Sequence, residues 1–511
     1  MLQVVNLNVF SKIVEAVNNV VWSPALVVLL IFAGLFFTFR TRFVQVRRLG
    51  LMVRLLFSKH EDGADKGTEA GAAKEAVAKA EAGSPKGADA KAGAADTVPK
   101  NKVSSFSAFC MALSGRVGTG NIVGVATAIA LGGPGAVFWM WIIAFFGAST
   151  AFVESTLAQI YRFPHHSSFR GGPYSYIQEG LHKRWIGILF AVLTIVCYGI
   201  FLPTVQANGA SQAFFNSYTV SPLATGIGLA VLLAIVIIGG VRRIADVASV
   251  VTPFMALGYI LIAIVVLAIN ADKIPFLLGQ IVTNAVGINP IAGGILGSTI
   301  MMGVKRGIFS NEAGEGGGAI VSATAHVKHP AQQGLVQAFS VYVDTLLVCT
   351  ATALMILSAG TYNIFNSATG EMIVANAPNL GNNYVNFTQA AVDSVFRGFG
   401  GQFVSIALLF FVFTTLMAYY FYSESSIIFI CREVARKRKI QYSRRLEDVL
   451  IWTYRLLLLG AVVFGAVRET DVIWQIGDIG VGLTAWINVI AILILSPQAI
   501  KALREYEKSL R

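Results

Sequence analysis

Charge is what this chain has least of. Only 13% of its 511 residues are Asp, Glu, Lys or Arg, while 55% are hydrophobic; soluble domains carry roughly 25% charged residues. That scarcity excludes an ordinary water-soluble fold. Cysteine is sparser still. Cys110, Cys197, Cys349 and Cys431 lie far apart, each in or at the end of an apolar run, which argues against a disulfide framework or a thiolate metal site. The histidines offer little more. His165 and His166 are neighbours in a loop, and His326 and His329 sit beside Lys328, so all four read as surface residues. The run from Glu315 to His326 lacks zincin spacing, and no Walker-type phosphate loop is present. The first residues lack the basic region of a cleavable signal peptide.

What is present is a series of apolar runs, each long enough to cross about 30 Å of hydrocarbon. The net charge of +12 does not imply nucleic acid, because the basic residues sit in loops between those runs, the cytoplasmic bias of membrane proteins. Residues 2–21 place Phe10, Ile13, Val14 and Val17 on one face, predicting an interfacial helix. A first span over 23–39 is followed by Arg40, Arg42, Arg47 and Arg48. Residues 58–102 are rich in Ala, Gly, Lys, Glu and Asp and read as a flexible cytoplasmic linker. Ten further spans follow, at 104–131, 134–160, 185–214, 222–241, 246–270, 289–326, 334–358, 401–430, 446–466 and 471–496. The Lys and Arg balance of the loops predicts the N-terminus outside and the C-terminus in the cytoplasm. Trp139 and Trp141 read as interfacial anchors.

Two of these spans are interrupted. Ser114-Gly-Arg-Val-Gly-Thr-Gly-Asn-Ile-Val-Gly124 puts Gly115, Gly118 and Gly120 inside an apolar stretch, and each costs a helix interior roughly 1 kcal/mol. An unwound segment is expected; an intact helix with packing glycines is the competing arrangement. Non-helical backbone at membrane depth must face protein or a water-filled cavity. In the second, Ile291 to Val304 covers only half a membrane, about 21 Å. Lys305-Arg-Gly-Ile-Phe-Ser-Asn-Glu-Ala-Gly-Glu-Gly-Gly-Gly318 and a short apolar stretch follow. A solvated loop is the alternative there. The breaks open the first and sixth of the ten later spans, the spacing of two inverted five-helix repeats. The expected architecture is an all-α polytopic membrane protein of about eleven spans. Residues 1–57 hold the N-terminal helices, 103–271 and 272–500 the repeats, and 501–511 a cytoplasmic tail.

Three segments carry a resemblance. Gly-Arg-Val-Gly-Thr-Gly-Asn-Ile (115–122), Lys-Arg-Gly-Ile-Phe-Ser-Asn-Glu-Ala-Gly (305–314) and Ala-Thr-Ala-His-Val-Lys-His-Pro-Ala-Gln-Gln-Gly (323–334) resemble signatures of the alanine or glycine:cation symporter family, over about 103–500. The resemblance implies the five-plus-five inverted-repeat fold and sodium-driven uptake of alanine, with glycine as a further substrate, across a prokaryotic plasma membrane. It implies no cofactor beyond sodium as the coupling ion, and no enzymatic activity. One departure concerns the substrate. Leu416-Met-Ala-Tyr-Tyr-Phe-Tyr-Ser-Glu424 has Tyr419 where family members carry a tryptophan over the pocket.

An amino acid zwitterion needs N–H donors for its carboxylate, as at a half-helix N-terminus, and neutral acceptors for its ammonium. Thr119, Gly120 and Asn121 are the expected donors. Gln206 and Asn208, in a span almost free of other amides, are the expected acceptors, with Ser310 and Asn311 closing the pocket. Helix–helix hydrogen bonding is the competing role for the two amides. Sodium calls for hard oxygens: carbonyls at Ser114 and Val117 and the hydroxyls of Thr414 and Thr415. Threonines bonded to their own helix are the alternative. Asp344 is expected to pair with a basic residue of the second break, a proton on its carboxyl being the alternative, and Arg116 to act as a gate; Glu154, Arg455 and Asp478 are further intramembrane charges. A proton- or ion-conducting subunit of a membrane enzyme complex is the alternative function.

Overall fold

The computed structural model describes residues 2–57, 103–166, 168–288, 294–438 and 442–510; the expected linker at 58–102 lies outside them. The N-terminal section holds α1 (Leu2–Val21), α2 (Pro24–Arg40), α3 (Val44–Arg47) and α4 (Leu49–Phe57). The first repeat consists of α5 (Ser105–Arg116) and α6 (Val123–Gly132), α7 (Gly135–Ile160), the hairpin β1–β2 (Phe163–His165, Ser168–Arg170), α8 (Pro173–Gly180), α9 (Arg184–Tyr218), α10 (Pro222–Ile237) and α11 (Gly240–Ile269). After α12 (Ile274–Ala285), the second repeat has α13 (Leu296–Asn311) and α14 (Gly317–Ser322), α15 (Pro330–Ala359), β3–β4 (Asn363–Phe365, Met372–Ala375), α16 (Tyr384–Asp393), α17 (Gly400–Arg438), α18 (Arg444–Ala466) and α19 (Thr470–Ser509).

Eight of the described helices are long and apolar enough to cross a membrane. The two interrupted helices and the shorter apolar α10 complete eleven crossings. The first repeat crosses five times, an odd number, so the second begins from the opposite side and is inverted relative to the first. The repeats also share their connections: in each, a β-hairpin and a short helix join the second crossing to the third. Both hairpins are antiparallel.

The helix ends follow local chemistry. Proline opens α2, α8, α10, α12 and α15 at their first turns, where its missing N–H has no intrahelical partner to lose. Ser104, Ser221 and Ser443 cap α5, α10 and α18 by accepting from Ser107, Ala224 and Leu446 N–H. Small residues set the packing between repeats. A Cβ at Gly307 of α13 would collide with Ile143 of α7, and one at Gly334 of α15 with Thr156 and Phe152 of α7. Such close approach is how membrane helices gain packing contact when lipid is as apolar as their own side chains.

Several expectations change. α17 and α19 continue to 438 and 509, beyond the expected limits of 430 and 496. The expected tail at 501–511 is therefore helical through Ser509, with Tyr506 buried and stacked on His329 at 5.1 Å. In the second interrupted helix, Lys305 to Asn311 are helical; the break is shorter and later, at 312–316. Trp139 and Trp141 donate to the Ala285 carbonyl at 3.1 Å and the Thr350 hydroxyl at 2.8 Å, so they join helices as well as flanking them.

Candidate substrate and ion sites

The first break is real: α5 stops at Arg116, a 3-10 turn spans Thr119–Asn121, and α6 starts at Val123. Its free N–H groups are met by side chains. Gly118 N–H donates to Asn121 Oδ1 at 2.8 Å, and Thr119 N–H to Gln206 Oε1 at 2.9 Å. The Thr119 hydroxyl also bonds Gln206 Oε1. Gln206 is thus brought to the break, and its amide oxygen holds the donors expected for a substrate carboxylate. A Cβ at Gly118 would sit 2.7 Å from Gln206 Oε1 and from Thr415 Oγ1, so glycine is what admits both.

Thr415 faces the break. Its hydroxyl lies 2.8 Å from the Ser114 carbonyl, 3.1 Å from that of Val117 and 2.9 Å from that of Phe411. Phe411, one turn back on α17, has no side-chain signal that would have singled it out. Thr414 points elsewhere: its hydroxyl meets Met255 Sδ at 3.4 Å and the Phe410 and Phe411 carbonyls at 3.1 and 3.0 Å. The expected pair of threonines is therefore one residue, because neighbours on a helix point about 100° apart.

Asn208 is also turned away from the break. It donates to the Gly465 and Arg468 carbonyls at 3.2 and 2.9 Å, capping the end of α18, so helix joining wins at this position. The end of α13 approaches the first break at Gly120, where a Cβ would lie 3.2 Å from the Phe309 ring and 3.3 Å from Ser310 Cα. Ser310 Oγ donates to Asp344 at 2.9 Å, and Asn121 Nδ2 donates to the same carboxylate at 2.6 Å. Thr345 adds a third donor at 2.7 Å. Asp344 therefore ties the first break to the end of α13 through neutral donors and not through a basic residue. Asn311 reaches Thr345 Oγ1 at 3.3 Å, and its carbonyl accepts from Arg116 Nε at 2.7 Å.

The remaining charges separate into two groups. Lys305 and Arg306 pair with Asp478 at 2.7 and 2.6 Å, beside the stacked rings of Phe309 and Trp474, whose centroids are 5.2 Å apart. Glu312 and Glu315 do not meet these cations; they accept from Tyr422 and Tyr198 hydroxyls at 3.1 and 2.9 Å. Tyr419 packs at 5.2 Å from Tyr198 and 6.0 Å from Tyr422, so its ring belongs to the surroundings of the second break. Arg455 lies over the Trp452 ring at 4.7 Å and donates to Tyr420 at 3.0 Å. His165 and His166 come together after all. A left-handed His166, φ 48°, brings both rings beside Glu447, with ligand atoms within 4.8 Å of one another. Arg444 Nη2 is 3.2 Å from His166 Nδ1.

Two inverted five-helix repeats, each opened by a broken helix, define a secondary transporter. The sequence model of the Sodium:alanine symporter family matches residues 7–83 and 87–511, and the chain belongs to that family. The likeness begins near the N-terminus, not at 103, and takes in much of 58–102. The chain is 44% identical over 98% of its length to "Putative sodium/proton-dependent alanine carrier protein YrbD" of Bacillus subtilis (strain 168), covering 93% of that protein. It is 40% identical, over 98% of itself and 91% of the relative, to "Probable sodium/glutamine symporter GlnT" of the same organism. Among solved structures, MhsT in complex with L-phenylalanine shares the fold at a TM-score of 0.50 and 13% identity, covering 79% of this chain and 98% of MhsT.

Proposed function

We propose that the protein is a symporter that couples sodium entry to uptake of a small neutral amino acid, alanine foremost and glycine next, by alternating access. The observation that carries the reading is Thr415. A hydroxyl has one proton to donate, yet three carbonyl oxygens, from Ser114, Val117 and Phe411, lie within 3.1 Å of this one. The surplus lone pairs form a neutral, hard-oxygen set suited to a monovalent cation. It lies next to the break that binds substrate, so ion and substrate share one element.

In this reading the substrate carboxylate takes the Thr119 and Gly120 donors, displacing the Gln206 oxygen, which then accepts from the substrate ammonium. Asn121 and Ser310 hold Asp344 and keep the two breaks in register. The Lys and Arg distribution supports an N-terminus outside and a C-terminus in the cytoplasm of a prokaryotic plasma membrane; in this reading the repeats run over 103–271 and 272–500. The relatives' names differ in substrate, alanine for one and glutamine for the other, so the substrate is the point to test. Uptake of labelled alanine into proteoliposomes under a sodium gradient is expected, with glycine competing and glutamine competing weakly. Uptake that persists without sodium and collapses with a protonophore overturns the sodium assignment.

A further inference from the structure

Beyond the sodium and substrate sites lies a group of buried acids that the transport reading does not use. Glu312 and Glu315 stand on the unwound segment between α13 and α14, each 1% exposed, and Glu154 of α7 is fully buried. Tyr422 and Tyr198 donate to Glu312 Oε2 and Glu315 Oε2, and Asn488 donates to Glu154 Oε2 at 2.9 Å. The second oxygen of each acid, Oε1, has no hydrogen-bond partner among the described residues. The cation among them is Arg116, 2% exposed, whose Nε and Nη1 are committed to the Asn311 carbonyl, Gln337 and Ser340. Its Nη2 is unpartnered and abuts Gly318, next to Gly317, against which Glu312 Oε2 lies. Lys305 and Arg306 are taken by Asp478. Asp344, Cys197, Tyr419 and Tyr176 are further titratable groups that interact with the acids.

Three ionised carboxylates against one guanidinium would leave two negative charges uncompensated in the buried interior. An unpaired buried charge costs several kcal/mol, and such groups take up a proton instead. A metal ion fits less well. The one group of three acidic, thiol or imidazole ligands converging within 4.8 Å among the described residues is His165, His166 and Glu447, not these acids. We infer that Glu312 and Glu315 form a proton-binding site that holds at least one proton and exchanges it with water as the second break changes shape during the cycle. The step is simple in its balance: a carboxylate oxygen takes a proton from water on the open side and returns it to water on the other. The site is wired to the sodium site on both sides. Arg116 adjoins Val117, whose carbonyl is in the Thr415 set, and Tyr422 lies two turns along α17 from Thr415.

The inference rests on the transporter reading, so sodium-driven alanine uptake by the wild type is measured on the same preparation; its failure would sink that reading and not the acid pair. Infrared difference spectra of wild-type protein with and without sodium should show a deuterium-sensitive carboxylic C=O band. Glu312→Gln or Glu315→Gln should abolish it and flatten the pH dependence both of uptake and of the apparent sodium constant. No such band in the wild type, or a band unchanged in either purified glutamine variant, overturns the assignment. If neither glutamine variant yields folded protein, Glu315→Asp keeps the acid and must shift the band; an unshifted band overturns it as well.

Discussion

Thr415 and Thr414 are chemically the same residue in adjacent positions, and their surroundings make them different. In the proposed sodium site, Thr415→Ala removes a ligand from an oxygen set around a charge, where one such bond is worth about 1.5–3 kcal/mol. The apparent sodium constant should rise roughly ten- to a hundredfold, and Thr414→Ala should leave it within about threefold; sodium-dependent alanine binding to each purified variant checks both. Gln206 is held by the Thr119 N–H and hydroxyl, so Gln206→Ala should weaken alanine binding by a similar factor with melting temperature little changed. The reverse pattern, unaltered affinity with lowered melting temperature, would reduce Gln206 to a helix cap. At this scale the residue types were legible and their directions were not. Asn208, two positions from Gln206, serves the end of α18 because helical rotation turns it to another neighbour.

The elements that matter most are the two that stop being helical. Gly120 lets α13 come within van der Waals contact of the first break, its absent Cβ facing Phe309 and Ser310. Gly120→Val places a branched side chain in that contact, and overpacking typically costs 1–3 kcal/mol. Uptake should be lost at unchanged membrane expression, whereas retained uptake would show that the breaks separate freely. A second element-scale device joins the chain's ends. Arg47 and Arg48 meet Glu507 of α19 at 2.6 and 2.9 Å. Burial works to raise the Glu507 carboxyl, but the two arginines outweigh it and hold it below its ordinary value. A depressed acid stabilises fully above its unfolded pKa and loses that contribution as pH falls through the folded one. Glu507→Gln should therefore lower the melting temperature at neutral pH and matter less in acid. The groups are partly exposed and screened, so the effect should stay under about 1 kcal/mol and shrink in high salt.

At the scale of the whole molecule, two clusters flank the breaks, and each would act as a closure in the transport reading. Phe309 and Trp474 stack beside Gly120, with Arg306 4.9 Å from the Trp474 ring and bonded to Asp478. On the other flank Arg116 anchors α5 to Asn311 and α15. Asp478→Asn leaves Lys305 and Arg306 without their anion, and losing one partner of a buried ion pair costs about 3–5 kcal/mol. The first closure should then open more often. A cysteine introduced as Ser310→Cys should react with an impermeant thiol reagent several-fold faster in the Asp478→Asn background; an unchanged rate would mean that the pair does not gate the site.

Composition and periodicity determined by themselves that the chain spans a membrane eleven times, because apolar runs of fixed length and basic loops are properties of the chain alone. They also located the first break, since three glycines within six residues tell against helix whatever surrounds them. The hairpins, α8, α12 and α16 were not legible: they are short, and their apolar faces are defined only by the spans they cover. The charged second break was misplaced because Lys305 and Arg306 look like loop residues until Asp478, 172 positions from Arg306, supplies their anion. Which oxygens surround Thr415, which acids face Arg116 and which amide reaches Thr119 are relations between segments distant in sequence. Only packing across the two repeats decided them, because a side chain's partner is set by the rotation and separation of neighbouring helices, and no window of sequence contains both.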